Sequence, residues 1–86
     1  LTAGEPDFRV HPVGEKAIAD AVARGCSKYT PVAGIPELRS RVAARTNRLQ
    51  GITRWKENHV VVSNGGKQAI FNTLASLLNP GDEVLI

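Results

Sequence analysis

The segment Asn64-Gly65-Gly66-Lys67 holds the residues best suited to chemistry, because it follows a run of valines and precedes a stretch with helical periodicity. A helix that begins directly after a glycine turn presents its first backbone amides to solvent, and its dipole adds partial positive charge there. Glycines let a ligand approach the backbone closely, and Lys67 adds a full positive charge. The turn is therefore a candidate anion site, with phosphate as the usual occupant.

The residues alone leave a second interpretation open, in which Gly65 and Gly66 only form a sharp turn. The common nucleotide motifs do not fit this turn. A Walker P-loop requires glycine where Val61 stands and serine or threonine where Gln68 stands. The dinucleotide pattern G-x-G-x-x-G is also absent from the turn.

The elements around this turn predict an α/β fold. Residues 59–63 contain three consecutive valines between turn signals, as in a strand buried in a parallel sheet. A helix should follow the turn, end at the Asn79–Asp82 turn and lead to a second strand at 83–86. The side of this helix predicted to be buried carries Ile70, Phe71, Leu74, Leu77 and Leu78.

Two further helices are predicted before the valine run. The first extends from about Val13 to Arg24, with Gly25 as its C-terminal stop. The second begins at Pro36, where the missing amide hydrogen is harmless, and ends near Gly51. We expect the natural protein to be longer, because Leu1 and Ile86 both read as cuts through structure.

The basic residues allow a nucleic-acid-binding alternative. The chain of 86 residues has a net charge of +3. The stretch from Arg39 to Lys56 contains no acid. Its arginines recur at helical spacings, and Trp55 is the only aromatic residue beside them, so a solvated helix face is the preferred interpretation and no nucleic-acid partner is expected. The remaining arginines of the stretch are Arg41, Arg45, Arg48 and Arg54.

A standalone phosphate- or nucleotide-binding α/β module is the other alternative function for the chain.

The counts of cysteine and histidine limit other site types. Cys26 is the only cysteine, which excludes an internal disulfide and a thiolate metal cluster and is weakly consistent with a reducing, cytoplasmic location. His11 and His59 lack ligand spacing, so no metal is expected. The apolar runs are too short to predict a membrane span.

Three blocks of the chain resemble the fold-type I pyridoxal-phosphate-dependent aminotransferases of class I/II, particularly the bacterial aspartate/prephenate branch. They are Leu1–Phe8, Lys28–Arg39, and Asn64–Ala69 with Asn79–Val84. Their order and spacing match the family over essentially the whole chain. The resemblance implies an N-terminal fragment of that fold. Residues 1–51 would form an N-terminal segment with helices, and residues 52–86 would begin the large domain that binds pyridoxal 5′-phosphate.

The resemblance also implies roles for single residues. The backbone of Gly4 would meet the α-carboxylate of the substrate. Tyr29 would reach the cofactor phosphate of the neighbouring subunit in a homodimer. Gly66 and Lys67 would bind the phosphate of pyridoxal phosphate, with Gly65 beside them.

The implied activity is transfer of an amino group between an amino acid, aspartate or glutamate, and a 2-oxo acid. The lysine that forms a Schiff base with the cofactor is expected beyond Ile86. No catalytic residue is therefore expected within these 86 residues, and the fragment alone is expected to be inactive.

Overall fold

Residues 4–85 are described by a computed structural model, and this part of the chain contains three α-helices and one short 3₁₀ turn. The helices are α1 (Pro12–Ala23), α2 (Pro36–Gln50) and α3 (Gly65–Leu77), and the 3₁₀ turn is Glu57–His59. The predicted block Leu1–Phe8 lies partly outside the described residues. Ile86, at the end of the second predicted strand, also lies outside them.

Local capping explains the bounds of α1. Pro12 occupies the first turn, and Nδ1 of His11 accepts a hydrogen bond from the Val13 amide at 3.2 Å. The helix ends where Gly25 takes a φ of +78° and donates to the Val22 carbonyl at 2.9 Å. The predicted first helix is thus confirmed within one residue at each end.

The second predicted helix is confirmed as well. α2 begins at Pro36, and Gly51 ends it in the left-handed conformation with a φ of +65°. Glu37 lies in its first turn and Arg48 in its last, which is the favourable arrangement for the helix dipole.

The predicted strands are not confirmed in the described residues. Residues 57–59 form the 3₁₀ turn, and Val60 adopts extended backbone angles without joining a ladder. The amide of Val62 donates to the Ala33 carbonyl at 2.9 Å, and no strand is assigned within 4–85. A strand exists only when it pairs along its length with another, and this single bond does not amount to a ladder. The sheet of the predicted α/β fold is therefore absent from the described part of the chain.

The side of α3 that was predicted to be buried is exposed. Leu77 is 71% exposed and Leu78, the best covered of the set, is still 38% exposed. Among the described elements, only α2 and the 3₁₀ turn pack against each other, so α3 has no neighbour to cover its apolar side chains. The other residues of the set, also exposed, are Ile70, Phe71 and Leu74.

Side-chain-to-backbone hydrogen bonds join α2 to the segment 55–60. Nδ2 of Asn47 donates to the Trp55 carbonyl at 2.8 Å, and Oδ1 of Asn47 accepts from the Trp55 amide at 2.9 Å. Nε of Arg39 donates to the Val60 carbonyl at 2.9 Å. Ala43, which is 3% exposed, lies between these two connections along α2. This frame positions the valine run that leads to the glycine turn.

Candidate functional site: the glycine turn before α3

The turn from Ser63 to Gly65 is closed by its own backbone and by one hydroxyl. The amide of Gly65 donates to the Ser63 carbonyl at 3.0 Å, and Oγ of Ser63 donates to the Gly65 carbonyl at 3.2 Å. Gly65 has a φ of +80°, which only glycine adopts without strain. Gly65 therefore has a conformational role, and its amide is already used within the turn.

Of the four backbone amides from Asn64 to Lys67, two are hydrogen-bonded within the described residues and two are free. The Asn64 amide donates to Oε1 of Gln68, and the Gly65 amide donates to Ser63. The amides of Gly66 and Lys67 have no hydrogen-bond partner among residues 4–85. Adjacent free amides in the first turn of a helix converge on one point in front of it, which is the arrangement that binds an anion.

The charge around these two amides is positive. The first turn of α3 contains no acidic residue, whereas α1 has Glu15 and α2 has Glu37 in that position. Lys67 is exposed and forms no ion pair within the described part of the chain. An anion at the turn would therefore meet the helix dipole and one ammonium group without an opposing carboxylate from α3.

The space in front of the glycines is open. A Cβ built on Gly65 or Gly66 would meet no atom within 4 Å. The φ of Gly66 is not in the left-handed region, so its backbone does not itself require glycine. Its lack of a side chain is therefore useful for a group that comes close to the backbone.

A cavity of about 260 Å³ borders the turn and brings Tyr29 close to it. Tyr29 itself is fully exposed, and the loop that follows it packs at Gly34 against Val62. The cavity thus brings Tyr29 to Ser63 and Asn64 of its own chain, whereas the predicted phosphate-binding residues Gly65, Gly66 and Lys67 do not line it. The residues that line this cavity are Tyr29, Thr30, Pro31, Val32, Gly34, Val62, Ser63, Asn64 and Gln68.

Gly4, the predicted substrate residue, is not brought to this cavity. It is exposed, and a Cβ built on it would meet no atom within 4 Å. Its neighbours Leu1 to Ala3 lie outside the described residues.

Gln68 is a residue of this region to which the sequence assigned no role of its own. It lies in the block Asn64–Ala69 and stands where a Walker motif would need serine or threonine. In the structure, its side chain accepts a hydrogen bond from the amide of Asn64 and lines the cavity. No standard sequence signal marks this bond, because the capping box places the glutamine three residues after the N-cap and Gln68 lies four residues after Asn64.

Residues 4–85 contain no group of three or more histidine, cysteine, aspartate or glutamate side chains placed to hold a metal ion. Nor does this part of the chain include a helix with the length and apolar character needed to cross a membrane.

Comparison with known proteins identifies the family. The family model for aminotransferase class I and II matches residues 1–86. A probable aspartate/prephenate aminotransferase of Rhizobium leguminosarum bv. phaseoli is 51% identical over 87 residues, covering 100% of this chain and 21% of that protein. An aspartate/prephenate aminotransferase of Thermus thermophilus is 46% identical over 86 residues, covering 100% of this chain and 22% of that protein. An aspartate aminotransferase of Rhizobium meliloti is 40% identical over 86 residues, covering 100% of this chain and 21% of that protein.

The chain thus spans 21–22% of the length of these curated relatives. No solved structure matches the chain significantly. The resemblance drawn from the three sequence blocks is confirmed at the level of the family. Because the family match covers the chain from end to end, the chain belongs to the aminotransferase class I and II family.

Proposed function

We propose that the whole protein is a pyridoxal-phosphate-dependent aminotransferase that moves an amino group between an amino acid, aspartate or glutamate, and a 2-oxo acid. Family membership and the names of the relatives support this reaction class. Neither alternative, the standalone phosphate-binding module or the nucleic-acid-binding domain, has support from the comparisons.

The observation that carries the proposal is the pair of free amides at Gly66 and Lys67. A phosphate monoester is a compact anion with several acceptor oxygens, and two adjacent amides can each donate to one of them. The open space at Gly66 and the charge of Lys67 fit the same group. The residues present therefore fit the phosphate of pyridoxal phosphate. When bound, that cofactor supplies an electron sink for reactions of amino acids.

The residues of this chain would serve binding and orientation. The free amides would hold the phosphate at one point, so that the rest of the cofactor is fixed in direction. In our proposal, Tyr29 offers its phenol hydroxyl to the phosphate bound by a second copy in a homodimer, and its full exposure leaves that hydroxyl accessible. Gly4 would present backbone to the substrate carboxylate.

Other parts of the proposal stay predictions. They include the division into an N-terminal segment (1–51) and the start of the large domain (52–86), the homodimer and the cytoplasmic location. Residues 1–86 alone should not catalyse transamination, because the lysine that reacts with the cofactor is expected in a different part of the protein.

Titration of the full-length protein with pyridoxal phosphate tests the proposal. We expect a new visible absorbance on binding, followed by transfer of the amino group from aspartate or glutamate to a 2-oxo acid. Pyridoxal, which lacks the phosphate, is the matched control ligand and should bind much more weakly. A protein that shows neither the absorbance change nor the transfer would refute the function.

A further inference from the structure

We propose that Gln68 is a positioning residue for the anion site, and that its uncharged amide is the feature that suits this position. The inference rests on the proposed function, because it concerns how the turn is prepared for the phosphate of the cofactor. Gln68 does not itself donate to that phosphate in this account. It acts through the backbone of Asn64 and Gly65.

The geometry of the N-cap explains why an acceptor is needed at position 68. The side chain of Asn64 makes no capping hydrogen bond, and its backbone has a φ of −78° and a ψ of 76°. Oε1 of Gln68 accepts the Asn64 amide across one helical turn. This bond joins the residue before the glycines to the helix after them, and the amides of Gly66 and Lys67 have no partner among residues 4–85.

The charge of the residue matters as much as its acceptor atom. A glutamate at 68 could accept the same amide, and its carboxylate would be favoured by the helix dipole. α1 and α2 both have glutamate in their first turns, as a helix start ordinarily favours. At α3 the same carboxylate would stand one turn from a bound dianion and repel it.

A carboxylate at position 68 would therefore favour helix stability and disfavour anion binding. Glutamate should leave the stability of the ligand-free protein unchanged or raise it, and it should lower the affinity for the ligand. Alanine should lose the acceptor without adding charge. If Gln68 had only a structural role, its substitutions would change stability and cofactor affinity in the same direction.

The test uses the full-length protein as wild type, Gln68→Glu and Gln68→Ala. Two quantities are measured for each: the melting temperature of the cofactor-free protein and the Kd for pyridoxal phosphate, with inorganic phosphate as a competing probe. Gln50→Glu is the matched control, since Oε1 of Gln50 also accepts a hydrogen bond, from Nε1 of Trp55 at 2.9 Å, and Gln50 does not line the cavity at the turn.

We expect Gln68→Glu to keep or raise the melting temperature and to raise the Kd by about tenfold, while Gln50→Glu leaves the Kd unchanged. The deficit of Gln68→Glu relative to wild type should shrink in about 1 M salt, where charges are screened within about 3 Å. The smaller deficit of Gln68→Ala, about threefold, should persist in salt because it reflects geometry.

The possible outcomes distinguish the role of Gln68 from the proposed function. Wild-type protein that binds pyridoxal phosphate far better than pyridoxal, together with unchanged Kd values for both Gln68 variants, would overturn the role of Gln68 and leave the function standing. A Gln68→Glu variant with a lowered melting temperature would overturn the charge argument. Wild-type protein that does not bind pyridoxal phosphate would overturn the proposed function and this inference with it.

Discussion

Gly34 and Val62 lie so close that a Cβ built on Gly34 would be 2.5 Å from Cγ2 of Val62 and 2.8 Å from its Cβ. The neighbouring backbone is joined as well, because the Val62 amide donates to the Ala33 carbonyl at 2.9 Å. This approach holds the loop that follows Tyr29 beside the turn that precedes α3. The cavity between them depends on glycine at 34.

Gly34→Ala should therefore destabilise the full-length protein strongly. The substitution adds a clash with Val62 to the strain of a φ of +96°, and we expect a loss of about 3 kcal/mol or more in the free energy of unfolding. The measurement is urea unfolding. Gly51→Ala is the matched control, because Gly51 also has a positive φ but open space around its Cβ position. A loss equal to the 1–2 kcal/mol or so expected for Gly51→Ala would show that the Gly34–Val62 approach is unimportant.

Asn47 offers a test of the frame that joins α2 to the valine run. Asn47→Asp keeps an acceptor for the Trp55 amide but replaces the Nδ2 donor with an oxygen that faces the Trp55 carbonyl. We expect a loss of about 2 kcal/mol, at least as large as that of Asn47→Ala, because a half-buried carbonyl would lose its donor and face a like partial charge.

Trp55, the only tryptophan of residues 1–86, reports the same event locally. The unfolding midpoint in urea and the fluorescence of this tryptophan should both change in Asn47→Asp. Asn58→Asp, at an exposed position, should stay within about 0.5 kcal/mol of wild type. Equal stability of the two aspartate variants would contradict the frame.

Arg39 should behave differently from the other arginines of α2. Its Nε donates to the Val60 carbonyl, 21 residues away, and the side chain is half-buried. We expect Arg39→Ala to lose about 2 kcal/mol, since hydrogen bonds to charged groups contribute more than neutral ones. Arg41→Ala, on the exposed face, should change stability by less than about 0.5 kcal/mol. The measurement is thermal unfolding of both variants. Equal stability of Arg39→Ala and Arg41→Ala would show that Arg39 belongs to the solvated helix face with the other arginines.

The two glycines of the turn should respond to alanine in opposite ways. Gly65→Ala strains a φ of +80° and should destabilise the cofactor-free protein by about 1–2 kcal/mol. Gly66→Ala should stabilise it by about 0.5 kcal/mol, because alanine is the better helix former and nothing obstructs its Cβ.

The same Gly66→Ala protein should nevertheless bind pyridoxal phosphate about tenfold more weakly, since the added methyl crowds a ligand that approaches the backbone. Melting temperature and Kd, measured on the same preparations, provide the comparison. Unchanged affinity in Gly66→Ala would mean that no ligand comes close to this residue.

The sequence predicted local structure well where single residues determine it. Pro36 at the start of α2 and Gly51 at its end act within one turn of the chain, so their effect can be read from the residues. The same holds for the glycine turn before α3. The strand-like run followed by a helix indicated the turn itself, while the roles of Gly66 and Lys67 came from the family resemblance. The direct start of α3 after the turn was expected.

Features that depend on distant residues were either predicted and not confirmed or not predicted at all. The valines at 60–62 indicated a strand, but a strand requires a ladder partner that residues 4–85 do not provide. The apolar periodicity of α3 indicated a buried face, and burial likewise depends on what packs against it. The hydrogen bonds of Arg39 to Val60 and of Asn47 to Trp55 join side chains of α2 to the backbone of the segment 55–60. No periodicity in the sequence indicates such bonds.

The most direct test of the account is the position of the phosphate in a crystal structure of the full-length protein with bound pyridoxal phosphate. We predict that the amide nitrogens of Gly66 and Lys67 each lie within about 3.2 Å of a phosphate oxygen. A phosphate bound elsewhere, or a turn whose two amides are covered by other parts of the protein, would contradict the central claim.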